Sequence, residues 1–304
     1  MAAGTQKLIA AARVIALLCA IAATAVTAAA PRVFAQRGSD AIAARVVSLV
    51  PNVTEMLFAV GAGSQVVAVS SYDDFPPAVK SLPRVGALLD PDMERIFSLR
   101  PDLVIVYGSQ TELETQLGRV GIRAYPYRHG GIESTLQSIR DVARLTGHAA
   151  EGEQLVSRLR AQLDAVRTRV RGRPRPRTML VIGRDPGTLR GVYASAGVGF
   201  LHELLELAGG SDVFGDIQRE AVQPSNETIL ARAPDVIIEA AAGERPSDDV
   251  FRRERGVWNV LTSIPAVRNK RVYLLYGSYL VAAGPRLGEA AAAYARTLHP
   301  DAFK

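Results

Sequence analysis

One stretch limits how the rest of this chain can be arranged. From Ala149 to Val170 no proline occurs, and then Gly172, Pro174 and Pro176 follow in quick succession. Leu155, Leu159, Leu163, Val166 and Val170 recur at helical spacing, which draws one apolar stripe along a helix. Such a helix is on the order of 33 Å long, and the glycine and prolines end it abruptly. A rod of that length cannot fold back on itself. Its stripe has to be buried by whatever comes before and after it.

Both flanks have the same grammar. Before the rod, residues 45–49, 66–69, 103–107 and 121–127 are short and rich in β-branched or aromatic residues, with helical stretches at 51–60 and 132–146. After it, residues 178–182, 236–239 and 272–275 repeat the strand pattern, and 200–207 and 285–298 the helical one. Continuously apolar strands alternating with helices indicate parallel sheets buried on both faces. The expected fold class is therefore α/β: two lobes with parallel-rich sheets joined by one long backbone helix. The expected divisions are a signal peptide (1–35), an N-terminal lobe (36–148), the connecting helix (149–172) and a C-terminal lobe (173–304). Asn52 followed by Glu55 has capping-box spacing, which assigns both to the start of the first helix.

An internal repeat supports two related lobes. Glu94, Ile96, Pro101 and Asp102 match Glu227, Ile229, Pro234 and Asp235 in register, and three apolar residues follow in each copy. Each copy reads as a short helix, a Pro-Asp turn and a buried strand, with a glutamate at the helix start.

The first thirty-five residues read as an address. Lys7 and Arg13 accompany an apolar run from Leu8 to Ala30, and Val33-Phe34-Ala35 precedes Gln36 as a small-x-Ala cleavage site. Export to the bacterial periplasm follows. The single cysteine, Cys19, falls in this segment and excludes a disulfide framework within one chain.

Several function classes are excluded by the residues themselves. The net charge of +6 is carried almost wholly by scattered arginines, and aromatic residues make up 6%. Neither a basic stripe nor a base-stacking platform results, so no nucleic-acid partner is expected. The chain has no phosphate-binding loop, nucleophile elbow or dinucleotide fingerprint. His129, His148, His202 and His299 stand far apart, so no metal site, cofactor or catalytic residue is assigned. His202 reads as structural. His129, in a loop after a strand, is the one histidine placed to meet a ligand. Ligands of parallel sheets bind beyond the carboxyl ends of the strands. Tyr72, Tyr107, Asp185, Arg190, Tyr193 and Tyr279 fall there and are the candidate ligand-binding residues.

Several stretches together resemble the periplasmic binding proteins for cobalamin, ferric siderophores and haem. They are residues 45–63 with Pro51-Asn52-Val53-Thr54-Glu55, the run Ser71-Tyr72-Asp73-Asp74-Phe75-Pro76-Pro77, Pro101-Asp102, residues 204–210, and Gly284-Pro285-Arg286. The resemblance implies no enzymatic activity. It implies a monomer that delivers its ligand to the permease of an ABC importer, docking through Glu94 and Glu227. The run from Ser71 is most similar to the cobalamin-binding members and implies a cobalamin-like corrinoid, with Tyr72 and Tyr107 packing on it. Leu88 and Ala221 stand where tryptophans are expected, and Ser278 and Ala282 where an Asp and an Arg are. A ferric siderophore or haem is the alternative.

Overall fold

The computed structural model describes residues 41–304. The expected signal peptide lies outside them. The N-terminal lobe runs β1 (Val46–Ser48), α1 (Pro51–Ala59), β2 (Val66–Val69), α2 (Met93–Ser98), β3 (Leu103–Tyr107), α3 (Thr111–Arg119), β4 (Arg123–Tyr127) and α4 (Ile132–Leu145). Its four strands lie in the order β2-β1-β3-β4, every pair parallel. The strand order reverses at β1 and β3, so a crevice opens beyond their carboxyl ends. Asn52 and Glu55 start α1 just past β1, and Tyr107 ends β3.

The long helix α5 spans Ala149–Val170, with the bounds its proline-free run predicts. The C-terminal lobe then runs β5 (Arg177–Gly183), β6 (Tyr193–Ser195), α6 (Phe200–Leu207), β7 (Ser211–Asp212), β8 (Ala221–Val222), α7 (Asn226–Arg232) and β9 (Val236–Ala241). It closes with α8 (Asp248–Gly256), α9 (Pro265–Arg268), β10 (Val272–Tyr276) and α10 (Leu287–Leu298). The sheet order is β10-β9-β5-β6-β8; β5, β9 and β10 are parallel, and β6 and β8 join antiparallel. The fold is thus α/β, with two parallel-rich sheets joined by one long backbone helix.

The α5 stripe is the reason the lobes cohere. Leu155, Leu159, Leu163, Val166 and Val170 are buried in a single cluster with Leu136 and Ile139 of α4, Leu204 and Leu207 of α6, and Leu287 and Tyr294 of α10. Each fully buried leucine contributes about 1.5–3 kcal/mol. Two glycines allow the helices this close. A Cβ on Gly152 of α5 would meet the Ala143 methyl at 2.5 Å, and one on Gly288 of α10 would meet Gln162 of α5 at 2.1 Å. The far faces of the two sheets carry separate cores, one around Val104 and Ile96 and one around Trp258 and Ile237.

The sequence repeat is also a structural repeat. Arg100 and Ala233, each just before the Pro-Asp pair, both have positive φ, 50° and 45°. Asp102 accepts the backbone N–H of Arg45, and Asp235 that of Arg177. The guanidinium of Arg45 donates to Leu99 O at the end of α2, as that of Arg177 donates to Arg232 O at the end of α7. Each lobe therefore fixes the same helix–turn–strand unit with the same polar clasp.

Because α5 belongs to one core shared by both lobes, Leu159→Ala is expected to lower unfolding stability by about 2–5 kcal/mol. Denaturant unfolding should stay a single transition, with Trp258 fluorescence and far-UV circular dichroism coinciding. Separate transitions for the two probes would contradict a shared core.

Candidate functional site

The strand ends of the two lobes face each other, and aromatic residues dominate between them. On the N-terminal lobe, Tyr107 and Tyr127 end adjacent parallel strands in direct register. His129 follows two residues later, its ring stacked on Tyr107 (6.0 Å, 30°) and edge-on to Tyr127 (5.2 Å, 78°). Burial raises the Tyr107 phenol above its ordinary pKa and pushes that of Tyr127 up to about 12. Both are neutral phenols at physiological pH. Tyr127 also accepts a hydrogen bond from Asn52 Nδ2 at 2.7 Å.

Tyr72 and Phe75 project from the loop after β2, 76% and 38% exposed. The loop is rigid where it is rooted. Ser70 N–H donates to buried Asp73 at 2.9 Å, and Arg84 Nη1 donates to the carbonyls of Ser70 and Asp73, each at 2.8 Å.

On the C-terminal lobe, Tyr193 starts β6 and is 42% exposed. With Ile182, Phe200 and Glu220 it faces His129 and Gly130 across a partly open cavity of about 130 Å³. Pockets for drug-sized ligands run to about 300–1,000 Å³. A larger ligand must therefore extend beyond this cavity. A more spacious groove of about 850 Å³ runs beside α5. Arg160 pairs there with Glu133, and Arg175 with Glu206. Arg171 and Arg173 line it without an ion-paired acidic partner among the described residues, so it is a basic surface channel at the end of α5.

The lobes are tied directly as well as through α5. Arg286 Nε and Nη2 reach both oxygens of Glu55, at 2.8 and 2.6 Å. Asn52 Nδ2 donates to Ala283 O at 2.9 Å. Glu203 of α6 accepts the N–H of Ile132 at 2.7 Å, at the start of α4. Arg286 further donates to Ser278 Oγ and stands 4.0 Å over the Phe75 ring. Burial raises the Glu55 pKa, opposed by the Arg286 hydrogen bond and charge. The capping-box expectation for Asn52 and Glu55 is corrected here: Val50 is the N-cap, Pro51 occupies the first helical turn, and both side chains instead reach the other lobe. With proline already supplying a residue that lacks an N–H, a cap has less to satisfy.

Of the six candidate ligand residues, Tyr107 and Tyr193 lie around His129, while Tyr72 stands exposed on the loop after β2. Asp185 and Arg190 share an exposed loop after β5 and face each other at 3.9 Å. Tyr279 lies apart, in the groove between α5 and α10, with Arg286 5.4 Å over its ring. Asn52, Phe75, Phe200, Glu220 and Arg286 also build the site. No local sequence signal marks Phe200 or Glu220. Glu94 and Glu227 are exposed and occupy the same position, second in α2 and in α7. The Ser225 hydrogen bond lowers the Glu227 pKa.

Two guanidiniums near the strand ends of the C-terminal lobe are already neutralised, whereas Arg128, exposed at the end of β4 beside His129, is in no ion pair among the described residues. Arg286 has Glu55, and Arg184, 2% exposed, lies 3.0 Å from both Glu239 and Glu254. Among the described residues no group of three potential metal-ligating side chains occurs, and no helix is long and apolar enough to cross a membrane.

Comparison with known proteins agrees with this architecture. The sequence model of the periplasmic binding proteins matches residues 46–279. A vitamin B12-binding protein of Yersinia pestis is 31% identical over 199 residues, 64% of this chain and 69% of that protein. The crystal structure of the periplasmic vitamin B12-binding protein of Vibrio cholerae superposes with a TM-score of 0.72 at 26% identity, covering 86% of this chain and 98% of that one. A periplasmic haem-binding protein from Roseiflexus superposes with a TM-score of 0.70 at 27% identity, covering 85% and 98%. The likeness to solved structures therefore does not discriminate between the two ligands.

Breaking the ion pair between the lobes should be costly. Glu55→Ala leaves a buried guanidinium without its carboxylate and is expected to destabilise by about 3–5 kcal/mol. The double variant Glu55→Gln with Arg286→Met should recover most of that loss. Thermal unfolding of the single and double variants checks this; additive losses would contradict a coupled pair.

Proposed function

We propose that this chain, which belongs to the periplasmic binding protein family, holds a cobalamin-like corrinoid in the mouth between its lobes and hands it to the permease of an ABC importer. The family consists of substrate-binding transport proteins, not enzymes. In this reading residues 1–35 direct export to the periplasm. The lobes (36–148 and 173–304) and the connecting helix (149–172) form the monomeric binding unit.

The observation that carries the ligand class is the aromatic lining around His129, formed by Tyr107, Tyr127 and Tyr193. A haem or a carboxylate siderophore presents anionic groups, which call for unpaired guanidiniums. Arg286 and Arg184 already have carboxylate partners, and the exposed Arg128 beside His129 is the unpaired guanidinium an anionic ligand could use. A corrin rim carries neutral amides, which suit aromatic walls and neutral phenols. Tyr72, Tyr107 and Tyr193 supply the walls, and the vitamin B12-binding names among the relatives support the same choice. Asp185 and Arg190 border the mouth as a polar rim. Tyr279 serves indirectly, as a face on which Arg286 rests.

Glu94 and Glu227 are assigned to permease docking. Each is exposed, in no ion pair, and held at the same place in a duplicated unit, so the two lobes present matching negative charges to a basic partner. Charge complementarity of this kind fixes register and speeds encounter.

Calorimetric titration with cyanocobalamin, aquocobinamide, haem and ferric siderophores tests the ligand. Corrinoid binding at micromolar or tighter affinity is expected, weakened about tenfold by Tyr107→Ala or Tyr193→Ala, since buried aromatics dominate such sites. Saturable binding of a ferric chelate alone would overturn the corrinoid assignment. Trp258 is buried and bonded to Glu239 at 3.1 Å, so its fluorescence is a weak reporter and heat is the better signal. For docking, Glu94→Ala combined with Glu227→Ala should abolish corrinoid uptake in cells while ligand affinity is retained. Undiminished uptake would remove the docking assignment.

A further inference from the structure

His129 differs from the other three histidines. His148 Nδ1 lies 2.9 Å from Thr146 O, His202 Nδ1 3.3 Å from Asp212, and His299 Nε2 3.2 Å from Gly209 O. Each of those rings is fixed by a polar neighbour. His129 has no hydrogen bond at either ring nitrogen. Its orientation comes from the faces and edges of Tyr107 and Tyr127, and Tyr127 is itself pinned by Asn52. The ring is exposed, it lines the cavity between the lobes, and it is the only histidine that does so. An exposed imidazole with both nitrogens free is available as a ligand.

The opposite wall carries a matching group. Glu220 lines the same cavity from the C-terminal lobe, is exposed, and takes part in no ion pair. Its charge is close enough to act on the Tyr127 phenol, beside which the His129 ring lies. Histidines that ligate metals usually donate their second N–H to a carboxylate or a carbonyl, which fixes the tautomer. Imidazole on one lobe and carboxylate on the other supply both halves of that arrangement.

Resting on the corrinoid reading above, we propose that His129 coordinates the lower axial position of cobalt in an incomplete corrinoid, one lacking its own nucleotide base, with Glu220 orienting the imidazole. The step is a ligand exchange. One imidazole nitrogen replaces a cobalt-bound water, the water leaves, and the oxidation state of cobalt is unchanged. A complete cobalamin already fills that position with its own base and gains nothing from His129. The site thereby favours incomplete corrinoids, the kind that must still pass through an assembly reaction attaching the lower base.

Aquocobinamide titrated into the full chain, followed by absorption spectroscopy, tests this. Bound aquocobinamide is expected to show the spectrum of an imidazole-ligated cobinamide. His129→Ala and His129→Gln should bind it with the water-ligated spectrum, and at least about tenfold more weakly relative to cyanocobalamin; free imidazole should restore the shifted spectrum. Glu220→Gln should keep the shift and lose about tenfold in affinity, the lower end for such supporting carboxylates. An unshifted spectrum with the parent chain, or a shift that persists in both His129 variants, would overturn the assignment. If neither aquocobinamide nor cyanocobalamin binds, the corrinoid reading itself falls, which is a different result from binding without coordination.

Discussion

Burial of one helical stripe is what the rest of the structure depends on. The apolar face of α5 is too long for one lobe to cover, and its leucines and valines lie in a cluster that draws on α4, α6 and α10 together. Each lobe has a private core on the far side of its sheet, but the near side is common property. The helix is therefore less a linker than the floor of a single core. Domain joints built from a flexible strap move freely; a shared, close-packed floor resists such motion because packed interiors transmit strain.

The geometry of the mouth follows. With the floor fixed, and with Glu55–Arg286, Asn52–Ala283 and Glu203–Ile132 tying the lobes, the strand ends are held at a preset separation. The cavity between the lobes is small, so selection takes place at the rim, where aromatic rings stand exposed. The same ties neutralise Arg286, which removes a charge that an anionic ligand would need. Structure and selectivity thus share residues, and the mouth is left aromatic and marked by one free imidazole.

Much of the fold is legible in the sequence because its signals are local. The bounds of α5 follow from periodicity and a proline stop. The Pro-Asp repeat foretells a duplicated helix–turn–strand unit, but not the positive φ that Arg100 and Ala233 share. The site is less legible, since its partners are far apart in the chain. Asn52 and Glu55 have a spacing that reads as a helix cap, and nothing local reveals that their partners lie 231 residues on. Tyr279 sits at a strand end as expected, yet a turn directs it into the groove beside α5. Phe200 and Glu220 are ordinary helix-start and loop residues until folding sets them opposite His129. Strand-end position says where a residue begins its side chain, not which way the side chain faces.

The measurement that bears most directly on this account is small-angle scattering of the chain, free and saturated with cyanocobalamin or aquocobinamide. A shared core and three ties predict a radius of gyration that is the same in both states within error. A clear contraction on ligand binding would show that the lobes swing, and that neither the α5 floor nor the ties fix the spacing of the site.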